Sequence, residues 1–256
     1  MIRSSVYSAL VLRSRSSGEA NRDIWLLTAE EGLLRATVFG GPKSKLRSHA
    51  SPFHSGRAWI YRDPVKDSRK LTDLDVHSWR PGLRELYERA MSADAAAETV
   101  LASHGGGGNW NRALSLTESA LDALAVADGE TCGRILLCFL WQWIDFLGLR
   151  PDFDLCVSCG KPTLPDSRLR YVPAEGGMAC SGGGCSDGNY PGSRLPTVFC
   201  EAGGGCRHWL QTVLSLSPLQ LNRYTLDKKS YSEAKTLVMA ILAETFGRKL
   251  ASWEYV

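Results

Sequence analysis

Ile135–Gly160 reads ILLCFLWQWIDFLGLRPDFDLCVSCG, and its two halves obey different physics. In the first half Ile135, Leu136, Phe139, Leu140, Trp143, Ile144 and Leu147 recur at helical spacing, which predicts a strongly apolar helix. Gly148 stands where a left-handed cap ends such a helix, and Pro151 follows where the helix cannot continue. The apolar face is wide enough to require burial on both sides. In the second half Cys156-Val157-Ser158-Cys159 is a C-x2-C pair, and Cys180 and Cys185 follow about twenty residues later. A tight turn points the two sulfurs of such a pair the same way, and a second pair completes the tetrahedron that zinc takes with thiolates at about 2.3 Å. The stretch therefore marks the passage from a helical domain into a cysteine-held module.

The four-cysteine reading leaves one ligand open. The second pair is spaced C-x4-C across Ser181-Gly182-Gly183-Gly184, where two intervening residues are usual; three glycines let the longer loop close, which favours Cys185. Cys200, Cys206 and His208 are the alternatives. The expectation is one structural zinc ion per chain on Cys156, Cys159, Cys180 and Cys185, with Cys132 and Cys138 as core thiols of the helix region. Eight cysteines in 256 residues, in a chain that opens with no apolar run of signal-peptide length, fit a reducing compartment better than a disulfide framework. The longest apolar stretch, Ile135–Leu149, is interrupted by Gln142 and Asp145 and is too short to span a bilayer. No membrane association and a cytoplasmic location are expected.

Outward from this stretch the chain divides by pattern. Residues 6–80 carry short apolar, partly alternating segments at Val6–Arg13, Ile24–Thr28, Leu33–Phe39, Arg57–Arg62 and Asp73–Trp79, separated by Gly18, Gly32, Gly40-Gly41-Pro42 and Pro64. Five strands in this length suit a small Greek-key barrel of the OB type. Helical periodicity takes over at about 83–101 and 112–127, and returns at 207–221 and 232–250 beyond the Gly/Pro/Ser/Cys-rich stretch 152–206. The fold class read from this is α+β and multidomain: an OB-fold barrel over 1–80, a helical domain over 81–151 and 207–256, and a zinc-binding insertion over 152–206.

Charge is unevenly placed. Residues 1–70 hold thirteen Lys and Arg against six Asp and Glu, a net of +7, whereas the remainder nets −4. A basic first domain on a near-neutral chain points to a polyanion bound at one localised face. The densest cluster is Gly40-Gly41-Pro42-Lys43-Ser44-Lys45-Leu46-Arg47, read as a flexible loop able to lay cations along phosphates. It lacks the G-x4-G-K-[ST] spacing of a nucleotide-binding loop. Arg57, Trp59 and Tyr61 share one face of a strand. If Ala58 and Ile60 face the core, the outer face presents a cation between two rings, the chemistry that stacks bases and neutralises a backbone; in the opposite orientation Trp59 packs inside and Arg57 is merely solvated. Arg35, Lys43, Lys45, Arg47 and Arg57 are the expected phosphate contacts, and Trp59 and Tyr61 the stacking residues. His49, His54, His77, His104 and His208 are scattered, and no H-E-x-x-H, G-x-S-x-G or paired acidic motif is present. No catalytic residue is expected, and the chain is read as a non-enzyme.

Together these residues resemble the RecO family of bacterial recombination mediators. The likeness runs through Ala9–Leu12, Gly18-Glu19, Gly32, Gly40–Lys45 and Ser51-Pro52-Phe53, through Phe146–Gly160 and Gly176–Cys180, and ends in Gly247-Arg248-Lys249-Leu250-Ala251-Ser252-Trp253. The resemblance implies an OB fold, a helical domain and a zinc module. It also implies binding of single- and double-stranded DNA, annealing of complementary strands, and assistance to RecA on DNA coated by single-stranded-DNA-binding protein. RecR and the C-terminal tail of that coating protein are the implied partners, with RecA engaged indirectly at the nucleoid. Arg134 and Arg150 are the expected cations for the tail. The competing readings are a zinc-ribbon adaptor that binds protein partners without direct DNA function, and a metal-dependent nuclease.

Overall fold

The computed structural model describes residues 4–18, 20–40, 44–181 and 200–255. Within them the chain forms two compact units, one of residues 1–136 with 252–256 and the other of residues 137–251.

The first unit opens with five strands, β1 (Ser4–Ser17), β2 (Asn21–Thr28), β3 (Gly32–Val38), β4 (Ser55–Asp63) and β5 (Ser68–Ser78), with the one-turn helix α1 (Lys45–His49) between β3 and β4. They close into a barrel in the order β1-β2-β3-β5-β4, antiparallel except where β3 meets β5. Following opposed residues around the wall from Ser4 through Tyr61, Lys70, Thr37 and Asp23 returns to β1 at Arg15, far along the strand from the start. That stagger is the shear a small closed barrel requires, and it tilts every strand. One strand face fills the interior with Ala9, Val11, Ile24, Leu26, Leu34, Ala36, Val38, Ala58, Ile60, Leu71 and Leu74. All five expected strands are present, and the barrel is of the OB type.

The basic segment after β3 departs from its reading as a flexible loop. Lys45–His49 is helical, because Leu46 and Ala50 lie four residues apart on one face and pack against the barrel core. His49 Nδ1 is 2.9 Å from Leu74 O, which ties the turn to β5. Lys43 lies outside the described residues, as do Gly41 and Pro42.

The four residues Ala9–Leu12 are buried in succession, so β1 is covered on both faces. The outer cover is helical: α2 (Tyr87–Ala102) and α3 (Trp110–Val126) pack against β1 and β2. Gly32 and Gly105, both at positive φ, permit this approach, since a Cβ on Gly32 would lie 2.7 Å from the Trp110 ring and one on Gly105 3.2 Å from Leu33. Asn109 caps α3 by accepting the amide of Arg112.

One side chain fastens barrel to helices. Arg80 has left-handed backbone at φ 44° and is buried; its Nε donates to Asp122 of α3 at 2.6 Å. Its Nη1 donates to the Phe53 carbonyl and Ser55 Oγ, both at 2.8 Å. After α3, helix α4 (Gly129–Phe146) is buried at every position from Ile135 to Ile144, more completely than a one-sided stripe.

In the second unit a three-stranded antiparallel sheet takes the order β7 (Gly177–Cys180), β6 (Leu169–Val172), β8 (Glu201–Ala202), followed by α5 (Gly204–Val213) and α6 (Lys228–Phe246). Helix α5 ends at Val213 in turns that pair the Ser215 and Leu216 amides with the Thr212 and Val213 carbonyls; Ser217 is extended before Pro218, and a separate capped 3-10 turn runs over Pro218–Arg223. Gln142 of α4, polar among apolar neighbours, donates through Nε2 to the carbonyls of Val213 at 2.7 Å and Leu216 at 2.8 Å. It thereby satisfies the open carbonyl end of α5. Asp227 and Gly247 cap α6 at its two ends.

Removing the Arg80 guanidinium orphans a buried carbonyl and hydroxyl and releases the α3 carboxylate. Arg80→Ala is expected to lower the free energy of unfolding by about 2–3 kcal/mol in urea titration, and Arg80→Lys to recover less than half of it. An unchanged midpoint in Arg80→Ala would show that apolar packing alone holds the helices on the barrel.

Candidate nucleic-acid interface and metal centre

The candidate metal centre is built by a turn and a strand. Cys156 and Cys159 flank a reverse turn closed by the amide of Gly160 on the Cys156 carbonyl at 2.8 Å and the amide of Cys156 on Lys161 O at 3.0 Å. Gly160 supplies the positive φ of +69°. The turn is seated on β7: Val157 N donates to Met178 O at 2.9 Å, and a Cβ on Gly177 would fall 2.1 Å from Val157 Cγ1, so only glycine admits this approach. Cys180 at the end of β7 then completes a cluster in which the sulfurs of Cys156, Cys159 and Cys180 lie within 4.8 Å of one another. The Cys180 amide donates to Cys156 Sγ at 3.4 Å. Burial, followed by the neighbouring Cys156 and Cys159, pushes the Cys180 thiol up. Three sulfurs so disposed repel one another once ionised, and a cation at their centre removes that cost, so the donor set suits one thiophilic metal ion.

Cys185, the expected fourth ligand, lies outside the described residues. Among the described residues Cys200, Cys206 and His208 do not join the cluster. Cys200 and Cys206 are buried thiols, each pushed up to about 12 chiefly by burial, and behave as core. Cys132 and Cys138 are buried as well, the latter also near 12.

A residue that sequence reasoning passed over holds this turn in place. Arg207 of α5 is buried and spreads its guanidinium over the 153–167 segment: Nη1 donates to the carbonyls of Leu164, Pro165 and Ser167, and Nη2 to Phe153 O and Thr163 Oγ1. Its carbon Cζ stands 5.9 Å from the Phe153 ring centre.

The second constellation lies on the outside of the barrel. Ala58 and Ile60 face the core, so Arg57, Trp59 and Tyr61 are on the outer face, with Arg57 over the Trp59 ring at 5.7 Å. Two further pairs of the same kind had no sequence signal, because ring and cation lie apart in the chain. Arg35 of β3 lies over Trp25 of β2 at 5.5 Å, and Lys70 of β5 over Phe39 at 5.2 Å. Strand register sets Lys70 opposite Tyr61 and Trp25 opposite both Arg13 and Arg35. Each such contact is worth about 0.5–1 kcal/mol at an exposed site.

Carboxylates temper the positive charge. Arg35 Nη2 also binds Asp23 Oδ2 at 2.6 Å; this bond, with one from Thr37, holds the Asp23 carboxyl below the usual carboxylate range despite burial. Asp75 and Asp73 of β5 stand opposite Arg57 and Trp59. Lys45 is exposed, whereas Arg47 is half-buried with Nη1 enclosed. In the two other cations of interest, Arg150 Nε donates to Asp145 at 2.8 Å and Arg134 Nη2 to Thr131 Oγ1 at 3.0 Å.

An OB barrel followed by helices and a cysteine turn is the order in which two family models match this chain: Recombination protein O N terminal over residues 1–79, and Recombination protein O C terminal over residues 84–197. The chain belongs to the RecO family. It is similar to proteins named DNA repair protein RecO from Heliobacterium modesticaldum, 30% identical over 93% of this chain and 82% of the relative, and from Anaeromyxobacter sp. strain Fw109-5, 28% identical over 97% and 94%. A third from Desulfitobacterium hafniense is 26% identical over 96% of this chain and 86% of its own. No described helix of this RecO-family chain is long and apolar enough to cross a membrane.

Because Arg207 satisfies carbonyls on both sides of the cysteine turn, Arg207→Ala is expected to cost about 2 kcal/mol of stability. It should also speed the reaction of Cys156 and Cys159 with a thiol reagent. Unchanged thiol kinetics would show that seating on β7 is sufficient by itself.

Proposed function

We propose that this chain is a DNA repair and homologous recombination mediator that binds single- and double-stranded DNA, anneals complementary strands and assists the loading of RecA onto DNA coated by single-stranded-DNA-binding protein. RecR and the C-terminal tail of the coating protein are its proposed partners, in the cytoplasm at the nucleoid. The observation that carries this reading is the cation-and-ring surface of the barrel, in a chain that matches the RecO family across both of its parts. The division into an OB domain over 1–80, helical parts over 81–151 and 207–256 and a zinc insertion over 152–206 is proposed with it.

The mechanism requires no bond chemistry. Two strands approach only when phosphate repulsion is neutralised, which Arg35, Lys43, Lys45, Arg47 and Arg57 supply along the backbone while releasing counterions. Bases must meanwhile stay available for pairing, and Trp59 and Tyr61 hold them by their π faces without reading sequence. The metal is proposed to be one structural zinc ion on Cys156, Cys159, Cys180 and Cys185; it supplies a fixed cross-link between the turn and β7, and four sulfurs close its shell.

Lys45→Ala combined with Arg57→Ala is expected to weaken binding to unrelated DNA sequences by similar factors and to lower the slope of log affinity against log salt by about one for each cation removed. Weak, salt-insensitive association of the intact chain would instead support the adaptor reading, and failure to anneal complementary strands in any salt would remove the mediator role. For the metal, elemental analysis is expected to find about one zinc per chain, retained in Cys206→Ser and lost in Cys185→Ser. The reverse result would overturn the ligand set.

A further inference from the structure

Three of the rings on the outside of the barrel are not bare. Trp25, Phe39 and Trp59 each carry one of the protein's own cations over the ring, at 5.5, 5.2 and 5.7 Å from the ring centre. Trp25 and Trp59 are half-buried while Arg35 and Arg57 are exposed, so in these two pairs the cation occupies the solvent side. A nucleobase and a guanidinium cannot lie on the same ring face at once. The solvent side of Trp25 and of Trp59 is closed to a base until its cation moves, whereas the exposed Phe39 is covered by Lys70 only in part.

Their movement is coupled to phosphate. An exposed cation–ring contact is weak, whereas a charge-assisted bond to a phosphate is among the stronger polar contacts, and a base gains more on an aromatic face than the cation loses by leaving it. A cation that turns to a phosphate uncovers the ring beside it. An unpaired base on the same strand then has a face to stack on, while a base held inside a duplex does not.

We propose that Arg35, Lys70 and Arg57 are exchangeable caps, which leave Trp25, Phe39 and Trp59 for phosphates and so open the barrel surface to unpaired bases, making it selective for single-stranded nucleic acid over duplex or any other polyanion. The inference rests on the DNA-binding reading above. It adds residues outside the basic segment, Trp25, Phe39 and Lys70, and assigns the cations two alternate partners. The caps differ in tightness: Asp23 anchors Arg35 at 2.6 Å over Trp25, so that ring is the most firmly closed of the three.

The test compares three fluorescent probes of equal length by anisotropy at fixed salt: an oligothymidylate, an abasic deoxyribose-phosphate oligomer, and a duplex. The readout is the ratio of affinities for oligothymidylate and abasic oligomer, because phosphate contacts cancel in it. The intact protein should prefer the oligothymidylate. In the variant Arg35→Gln with Arg57→Gln and Lys70→Gln all three affinities should fall, yet the ratio should rise by about 2- to 5-fold for each ring uncapped, the equivalent of one exposed cation–ring contact. In Trp25→Leu with Phe39→Leu and Trp59→Leu the ratio should fall towards one. A ratio unmoved by uncapping, or one that survives loss of the rings, overturns the caps while leaving DNA binding intact. Intact protein that binds none of the three probes overturns the DNA-binding reading and the caps with it. Thermal unfolding checks each variant; should the ring variant fail to fold, the glutamine variant, altered only at exposed positions, decides the matter alone.

Discussion

A buried guanidinium with no escape to solvent holds the first unit together. Arg80 sits where β5 ends and the helices begin, in a left-handed backbone conformation that costs a non-glycine residue energy, and it spends its donors on a carbonyl and a hydroxyl of the barrel side and a carboxylate of α3. Burying a charge is unfavourable unless its hydrogen bonds are met, and here they are met only when barrel and helices are in register. The outer leucines of β1 and the glycine-permitted contacts of Gly32 and Gly105 follow from that placement. The barrel is therefore one layer of a larger core, with β1 buried on both faces.

The second unit repeats the principle with a different partner set. Arg207 meets four backbone carbonyls and a hydroxyl, and no ion pair in the described residues shares its charge. Carbonyl oxygens facing one guanidinium pin an irregular segment that has little regular structure of its own. The cysteine turn is continuous with that segment, and its two sulfurs lie within 4.8 Å of the Cys180 sulfur on β7.

On the barrel surface the decisive feature is pairing across strands. Net charge describes the first seventy residues as strongly basic, yet Asp23, Asp73 and Asp75 stand beside the cations that matter, so the field is focused and not uniform. Arginine and lysine over aromatic rings are held near the surface with little loss of solvation. Arg35, Arg57 and Lys70 remain exposed above the rings they cover.

Much of this was legible in the residues alone. The five strands followed from alternation and turn residues, the buried helix from its period, and the C-x2-C turn from its spacing, because each is a local pattern whose physics acts within a few residues. The helix at Lys45–His49 was not legible, since one turn carries only two apolar positions and forms because the barrel offers them a place. Neither were Arg80 and Arg207, which look like ordinary solvated arginines until the carbonyls of distant segments surround them. The same holds for Trp25 with Arg35 and Phe39 with Lys70: strand register, fixed only when the barrel closes with its particular stagger, decides which cation meets which ring. Local periodicity and spacing thus determined the elements and the cysteine turn, whereas contacts between residues far apart in the chain, which exist only in the closed tertiary structure, decided which charges are buried, which are exposed and which rings they cover.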